Sequence, residues 1–132
     1  MSLDDEKRDL VVQMGIEKAY RTMEEAEIMI QHEHWGAAAG RMYYAVFHAV
    51  NALLIHDNHR IKSHKGAYTQ FCLHYVASGK FPKASGNPYR QLEIMREESD
   101  YNCFYDVTPE DLHSKLAPAK ELIDNIAALV KE

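Results

Sequence analysis

Arg41, Tyr44, His48 and Asn51 are polar residues in a segment, 35–55, that is otherwise almost wholly apolar or glycine. Their spacing of three, four and three residues places them on one narrow stripe of an α-helix, because successive residues lie about 100° apart around the axis. A guanidinium can stabilise charge that grows on phosphorus, and an imidazole can exchange protons with a ribose hydroxyl or a leaving oxygen. Tyr44, between them, can orient either group through its hydroxyl. The stripe is therefore the candidate catalytic group, and its chemistry needs no metal.

The remaining faces of this helix carry apolar side chains, so we expect it to lie inside the fold. Desolvating the Arg41 guanidinium is unfavourable unless it is paired. The stripe is therefore expected to face a partner carboxylate, a wet cleft or a second subunit. One structural alternative stays open, in which the same side chains form a buried hydrogen-bond network across a bundle or a dimer interface.

A second group of candidate residues, Lys62, Ser63, His64 and Lys65, is expected at the start of a helix. Free backbone N–H groups and the helix dipole favour anions there, so these side chains are candidate phosphate contacts. The alternative is that Ser63 only caps the helix while the lysines are solvated.

Arg96 and Tyr101 complete the candidate nucleotide-binding residues, together with Asn51 of the stripe. Arg96 and Asp100 are four residues apart, which by default predicts an ion pair within one helix. Tyr101 is expected to be a packed aromatic whose hydroxyl needs a partner. The other histidines have no spacing typical of a metal site, and no glycine-rich phosphate loop or dinucleotide fingerprint occurs, so we expect neither metal nor cofactor.

The elements that must position these residues are all helices. Apolar periodicity, capping residues and glycine or proline stops predict five of them, at about 5–33, 36–56, 63–79, 88–99 and 108–130. Pro118 should kink or interrupt the last helix, since a proline removes one backbone hydrogen bond. With no convincing strand, the pattern predicts an all-α, up-and-down bundle of about five helices.

The length and charge of the chain indicate the number of domains, the location and the class of ligand to expect. The 132 residues suit one domain, 1–132, without a targeting or membrane-spanning segment, so we expect a cytoplasmic protein. The net charge of −5 is unevenly distributed: residues 1–35 carry −5, 36–92 carry +6 and 93–132 carry −6. The basic middle third suits a phosphate-bearing ligand, although basic loops that pair with acidic flanks would give the same pattern.

Segments 40–49 (GRMYYAVFHA), 62–66 (KSHKG) and 96–101 (REESDY) resemble, in order and separation, the HEPN domain (higher eukaryotes and prokaryotes nucleotide-binding). The resemblance covers nearly the whole chain and is closest to the short stand-alone bacterial members. The family's ribonuclease signature is an arginine and a histidine separated by four to six residues, and six lie between Arg41 and His48. Met42 stands where many active members carry a polar residue.

The resemblance implies a helical bundle that forms a homodimer, so that both Arg/His pairs line a shared cleft. It implies metal-independent cleavage of RNA to a cyclic phosphate, with His48 as general acid/base, Arg41 at the phosphate and Tyr44 assisting. Such proteins are often toxins restrained by a small nucleotidyltransferase antitoxin. The alternative is a non-catalytic HEPN module that binds a nucleotide or a nucleotidyltransferase partner.

Overall fold

The computed structural model describes residues 3–61 and 63–131, so Lys62, one of the candidate phosphate contacts, lies outside the described residues. This part of the chain contains no strand and forms five α-helices: α1 Leu3–Gln31, α2 Trp35–His56, α3 His64–Phe71, α4 Gly86–Tyr101 and α5 Pro109–Val130. A π-helical turn, Cys72–Val76, continues from α3, and a short 3₁₀ turn, Lys83–Ser85, precedes α4. The prediction of an all-α bundle of about five helices is confirmed.

Helix α2 is the centre of the bundle and packs against α1, α3, α4 and α5. Twelve of its 22 residues are buried. The expectation that α2 lies inside the fold is therefore correct for most of its surface. The polar stripe is less buried, since Arg41 is exposed and Tyr44, His48 and Asn51 are only partly buried.

Helix α1 reaches α2 through a close contact at Gly15. A Cβ added there would lie 3.1 Å from the Cβ of Ala52 and 3.8 Å from the carbonyl oxygen of His48. The predicted apolar face of α1 has apolar residues at alternating steps of four and three, and its members Val12, Ala19, Met23 and Ala26 are buried while Ile16 and Ile30 are partly buried. The glycine thus brings the α1 backbone close to the turn of α2 that carries His48.

Helix α4 packs on the first half of α2, again beside glycines. A Cβ added to Gly40 would lie 4.0 Å from the Cγ of Arg96. A Cβ added to Gly36 would lie 3.9 Å from the Cβ of Ser99. Helix α4 begins at Gly86, slightly earlier than the predicted start at Pro88, because a proline is tolerated within the first turn. This packing sets the α4 side chains against the α2 stripe.

Helix α5 begins and ends close to where the sequence predicts, and it passes through Pro118. The Thr108 hydroxyl accepts a hydrogen bond from the backbone N–H of Asp111, at 3.1 Å. Pro118 does not interrupt the helix, which runs on to Val130. Pro118 and Ser114 are both exposed, so water can hydrogen-bond the Ser114 carbonyl that the proline leaves without an N–H donor.

Across residues 3–61 and 63–131, the structure offers no helix suited to spanning a bilayer.

Candidate active site

The polar stripe of α2, formed by Arg41, Tyr44, His48 and Asn51, lies between α1 on one side and the start of α3 with α4 on the other. Arg41 is exposed and forms no ion pair with any described residue. Because the Arg41 guanidinium is exposed to water, it does not need the partner carboxylate that a buried guanidinium would require. Asn51 is half-buried on the turn that follows His48.

His48 is partly buried and surrounded by positive charge. Burial is the main cause that lowers the pKa of His48 below its usual value near 6.5, and Lys18, His64 and Arg41 lower it further. These groups come from α1, α3 and α2, so basic side chains from three helices converge on one imidazole. A lowered pKa keeps the ring neutral at pH 7, which is the form that accepts a proton.

His64, the first residue of α3, reaches the stripe although it is far from it in the sequence. The centroid of its exposed ring lies 4.2 Å from that of Phe47, 5.7 Å from that of Tyr44 and 6.1 Å from that of Tyr43. The fold therefore brings the KSHKG segment to the same place as the GRMYYAVFHA segment.

The neighbours of His64 have simpler environments. The Ser63 hydroxyl accepts a hydrogen bond from the backbone N–H of Gly66 at 3.0 Å, so Ser63 caps α3. The Lys65 side chain is exposed, and it forms no ion pair within the described part of the chain. Capping and anion binding are compatible here, since a single hydroxyl satisfies only one of the free N–H groups.

Arg96 of α4 covers the aromatic part of the stripe. Its guanidinium carbon lies 5.1 Å from the ring centre of Tyr43 and 5.7 Å from that of Tyr44, within cation–π distance. Arg96 also forms the ion pair expected with Asp100, at 3.3 Å, and approaches Glu97 at 4.0 Å. Burial alone would lower the pKa of Arg96, but Tyr44, Tyr43 and Asp100 outweigh it and the pKa is raised.

Tyr101 differs from its expected environment. It is 81% exposed rather than packed, and its hydroxyl is hydrogen-bonded to Arg96. The reason is its position as the last residue of α4, where the helix has already passed the core. Tyr101 therefore extends the Arg96 surface outward.

Two contributors to this site, Lys18 and Phe47, were not identified from the sequence. Lys18 lies in the acidic first third of the chain, where charge patterning gives no reason to single it out. Gly15 could have indicated Lys18. An isolated glycine inside a helix indicates close approach of another backbone, and Lys18 lies three residues after Gly15. Phe47 belongs to the core of α2, yet its ring contacts both His48 and His64.

Taken together, the basic side chains of Lys18, Arg41, His48, His64 and Arg96 come from four helices to one partly open site. We call this site the groove, because it lies between α1 on one side and α3 and α4 on the other. Within the described residues, no three His, Cys, Asp or Glu side chains are grouped so that they could hold a metal ion. Such a groove suits an anionic ligand, and its hydroxyl, imidazole and guanidinium groups are those used in phosphoryl transfer.

The HEPN domain model matches residues 12–129, and the chain belongs to this family. A UPF0332 protein of Thermotoga maritima is 24% identical over 126 residues, which are 96% of each chain. A Methanocaldococcus jannaschii protein named as a candidate toxin is 30% identical over 121 residues, 92% of this chain and 90% of the relative. A second protein of that organism with the same kind of name is 25% identical over 96 residues, 73% of this chain and 65% of the relative.

Proposed function

We propose that this HEPN protein is a metal-independent endoribonuclease, toxin-like in its biology, whose active site is the α2 stripe. The observation that carries the proposal concerns Arg41 and His48, which lie on the same face of α2. Arg41 is exposed and forms no ion pair with a described residue, and the pKa of His48 is lowered by burial and by neighbouring charges. A neutral imidazole and a free guanidinium on one helix face are the two groups that cleavage of RNA without metal requires.

In the proposed reaction, a ring nitrogen of His48 removes the proton from a ribose 2′-hydroxyl. The 2′-oxygen attacks the adjacent phosphorus, the bond from phosphorus to the 5′-oxygen breaks, and a 2′,3′-cyclic phosphate forms. Arg41 stabilises the charge that grows on the phosphoryl oxygens, because its guanidinium presents several N–H donors in one plane. The Tyr44 hydroxyl orients the phosphate, while Asn51, Lys62, Ser63, His64, Lys65, Arg96 and Tyr101 supply the surrounding nucleotide contacts.

The working form is proposed to be a homodimer in which two stripes share a cleft. Leu10, Val11 and Met14 of α1 support this, since they are 58%, 49% and 57% exposed. Val11 and Met14 precede Lys18 by seven and four residues, which places them on the same stripe of α1 as Lys18, whose charge acts on His48. Neighbouring exposed apolar side chains typically mark an interaction surface. The candidate-toxin names of two relatives support an antitoxin partner, for which a nucleotidyltransferase is our proposal.

The test is incubation of the purified protein with end-labelled RNA in the presence of EDTA. We expect cleavage by the wild type and a loss of about 100-fold or more in His48→Ala, the range typical of a removed acid–base group. His32→Ala is the matched control, because His32 is exposed at the far end of α1, outside the groove. Intact RNA with the wild-type protein, or equal cleavage by both variants, would contradict the proposal.

A second candidate function is a non-catalytic module that binds a nucleotide. The exposed imidazole of His64 beside the partly exposed ring of Tyr44 favours it, since a base can stack on such rings. In the same experiment this function predicts intact RNA together with measurable nucleotide binding that Tyr44→Ala weakens.

A further inference from the structure

Cleavage of RNA through a cyclic phosphate requires two proton transfers at separate atoms. The 2′-hydroxyl loses a proton as it attacks phosphorus, and the 5′-oxygen gains one as it leaves. A single imidazole can serve only one of these atoms in a given step, unless it moves between them. The reaction proposed above therefore leaves the proton of the leaving oxygen without an assigned donor.

The structure contains a second imidazole beside His48. The ring centroids of His48 and His64 lie 5.7 Å and 4.2 Å from the centroid of Phe47, and 6.4 Å and 5.7 Å from that of Tyr44. Both histidines therefore contact the same two aromatic rings, and their separation cannot exceed the sum of their distances to Phe47. His64 is exposed and His48 half-buried, so a phosphodiester can approach both.

The backbone of His64 is fixed by the turn that precedes α3. The Ser63 hydroxyl caps the helix on the N–H of Gly66, and the Gln70 side chain donates a hydrogen bond to the carbonyl oxygen of Arg60. A Cβ at Gly66 would lie only 3.2 Å from the Ser63 hydroxyl, so this turn is closely packed. The imidazole is thus held on an ordered helix start instead of a free loop.

The charges around the two rings also distinguish their roles. Lys18 from α1, Arg41 from α2 and His64 from α3 all act on His48, while Arg96 from α4 lies over Tyr43 and Tyr44. Because like charges repel, the two imidazoles do not favour being protonated together. Burial and these charges favour the neutral ring at His48, the more buried position, which leaves the more exposed ring of His64 as the candidate proton donor.

We propose that His64 is a catalytic residue, the general acid that protonates the leaving 5′-oxygen while His48 is the general base at the 2′-hydroxyl. This inference rests on the proposed ribonuclease function. The bond between phosphorus and the 2′-oxygen forms, the bond to the 5′-oxygen breaks with its electron pair kept on oxygen, and that oxygen takes the proton of His64. The products are a 2′,3′-cyclic phosphate and a 5′-hydroxyl, and proton exchange with water restores both rings.

The experiment compares two dinucleotide substrates that differ in one atom, the 5′-bridging oxygen or a sulfur in its place. A thiolate leaves without being protonated, so the sulfur substrate does not need a general acid. With the oxygen substrate we expect His64→Ala to lose about 100-fold or more in activity. With the sulfur substrate we expect it to cleave within a few-fold of the wild type, whereas His48→Ala stays impaired on both substrates.

The pH profile gives a second measurement of the same role. A general acid must be protonated, so it produces the fall of activity on the basic side of a bell-shaped profile. We expect that fall to disappear in His64→Ala and in His64→Asn, which retains a polar side chain. His34→Ala, another exposed histidine outside the groove, should leave both substrates and the profile unchanged.

The outcomes separate this inference from the function on which it rests. Equal loss on both substrates would show that His64 only binds or positions the phosphate, and full activity on both would show that it has no role. Either result overturns the inference but leaves the ribonuclease proposal intact. If the wild type cleaves neither substrate, the ribonuclease proposal itself is wrong and the acid role falls with it.

Discussion

At the scale of single residues, the site combines positions whose burial and charge are unusual for their types. Arg41 is exposed on a helix that is otherwise mostly buried, and His48 is a titratable ring placed among cations. A structure that used these residues only for stability would pair the cations with carboxylates. The absence of such a partner for Arg41 among the described residues agrees with a role in binding an anion.

Arg41→Ala should separate activity from stability. Because Arg41 is exposed and unpaired within the described chain, we expect the free energy of unfolding to change by less than about 0.5 kcal/mol. Loss of its stabilising effect on the transition state should lower kcat by about 100- to 1,000-fold. Urea unfolding and RNA cleavage measure the two effects. A large loss of stability or of dimerisation would instead support the alternative in which the stripe is a structural network.

Lys18→Ala should move the pH dependence of cleavage. Burial is the main cause of the lowered pKa of His48, and Lys18 is the largest contributor among the charges. Removing this cation favours the protonated ring, so the pKa of His48 should rise. Since the base must be neutral, the acidic limb of kcat/KM should shift to higher pH.

Lys7→Ala is the matched control for this shift, because Lys7 is an exposed lysine on the same helix and does not act on His48. An acidic limb that stays in place in Lys18→Ala, or that moves equally in both variants, would contradict the assignment of that limb to His48.

At the scale of helices, two contacts determine where the site residues lie. Gly15 allows α1 to approach the His48 turn, whereas α4 lies at ordinary van der Waals distance from Gly36 and Gly40 and places Arg96 over the α2 tyrosines. The α1 wall of the groove therefore depends on a small residue within a helix as much as on the polar residues that face it.

Gly15→Val should test the first of these contacts. A Cβ at this position lies 3.1 Å from the Cβ of Ala52, and the two further carbons of valine cannot be accommodated without movement of a helix. We expect a destabilisation of about 1–3 kcal/mol by urea unfolding. Ala52→Gly in the same chain should recover part of it, so the two changes should not be additive.

Gln13→Val is the control for the helix propensity of valine, because Gln13 is exposed on α1. If Gly15→Val costs no more than Gln13→Val, or if the two changes at the contact add independently, the close packing of α1 on α2 is not what stabilises this arrangement.

The sequence predicted the features that depend on local residue spacing, but it did not predict the contacts that form where helices pack together. Helix periodicity was sufficient to place Arg41, Tyr44, His48 and Asn51 on one stripe, and capping residues located the starts of α3 and α5. Local rules left open whether Pro118 would kink or interrupt α5, and the helix is not interrupted there. They also could not bring Lys18 or His64 to His48, because those distances arise only from tertiary packing.

At the scale of the whole molecule, charge and apolar exposure indicate how copies and ligands approach. The basic middle third contains Arg41, His48 and His64 of the groove, and the acidic flanks form much of α1 and α5. RNA would be attracted to the groove and repelled from the outer helices. Leu10, Val11 and Met14, exposed apolar residues in the first half of α1, form the surface that we assign to the second subunit.

Met14→Glu should weaken the proposed dimer without unfolding the chain. Met14 is 57% exposed, so the fold should tolerate the change, whereas a carboxylate on each side of a two-fold interface would be repelled. Sedimentation velocity should show a shift toward monomer, with a parallel loss of RNA cleavage. Ile28→Glu is the control, because Ile28 is 52% exposed near the other end of α1. Unchanged assembly in Met14→Glu would place the dimer interface elsewhere.

The most direct test of the central claim is the chemical nature of the RNA ends produced by the wild-type protein in EDTA. The account predicts 2′,3′-cyclic phosphate and 5′-hydroxyl ends, and no cleavage where a 2′-deoxy nucleotide replaces the ribose at the scissile position. Ends with a 5′-phosphate, cleavage at the 2′-deoxy position, or RNA that stays intact would contradict it.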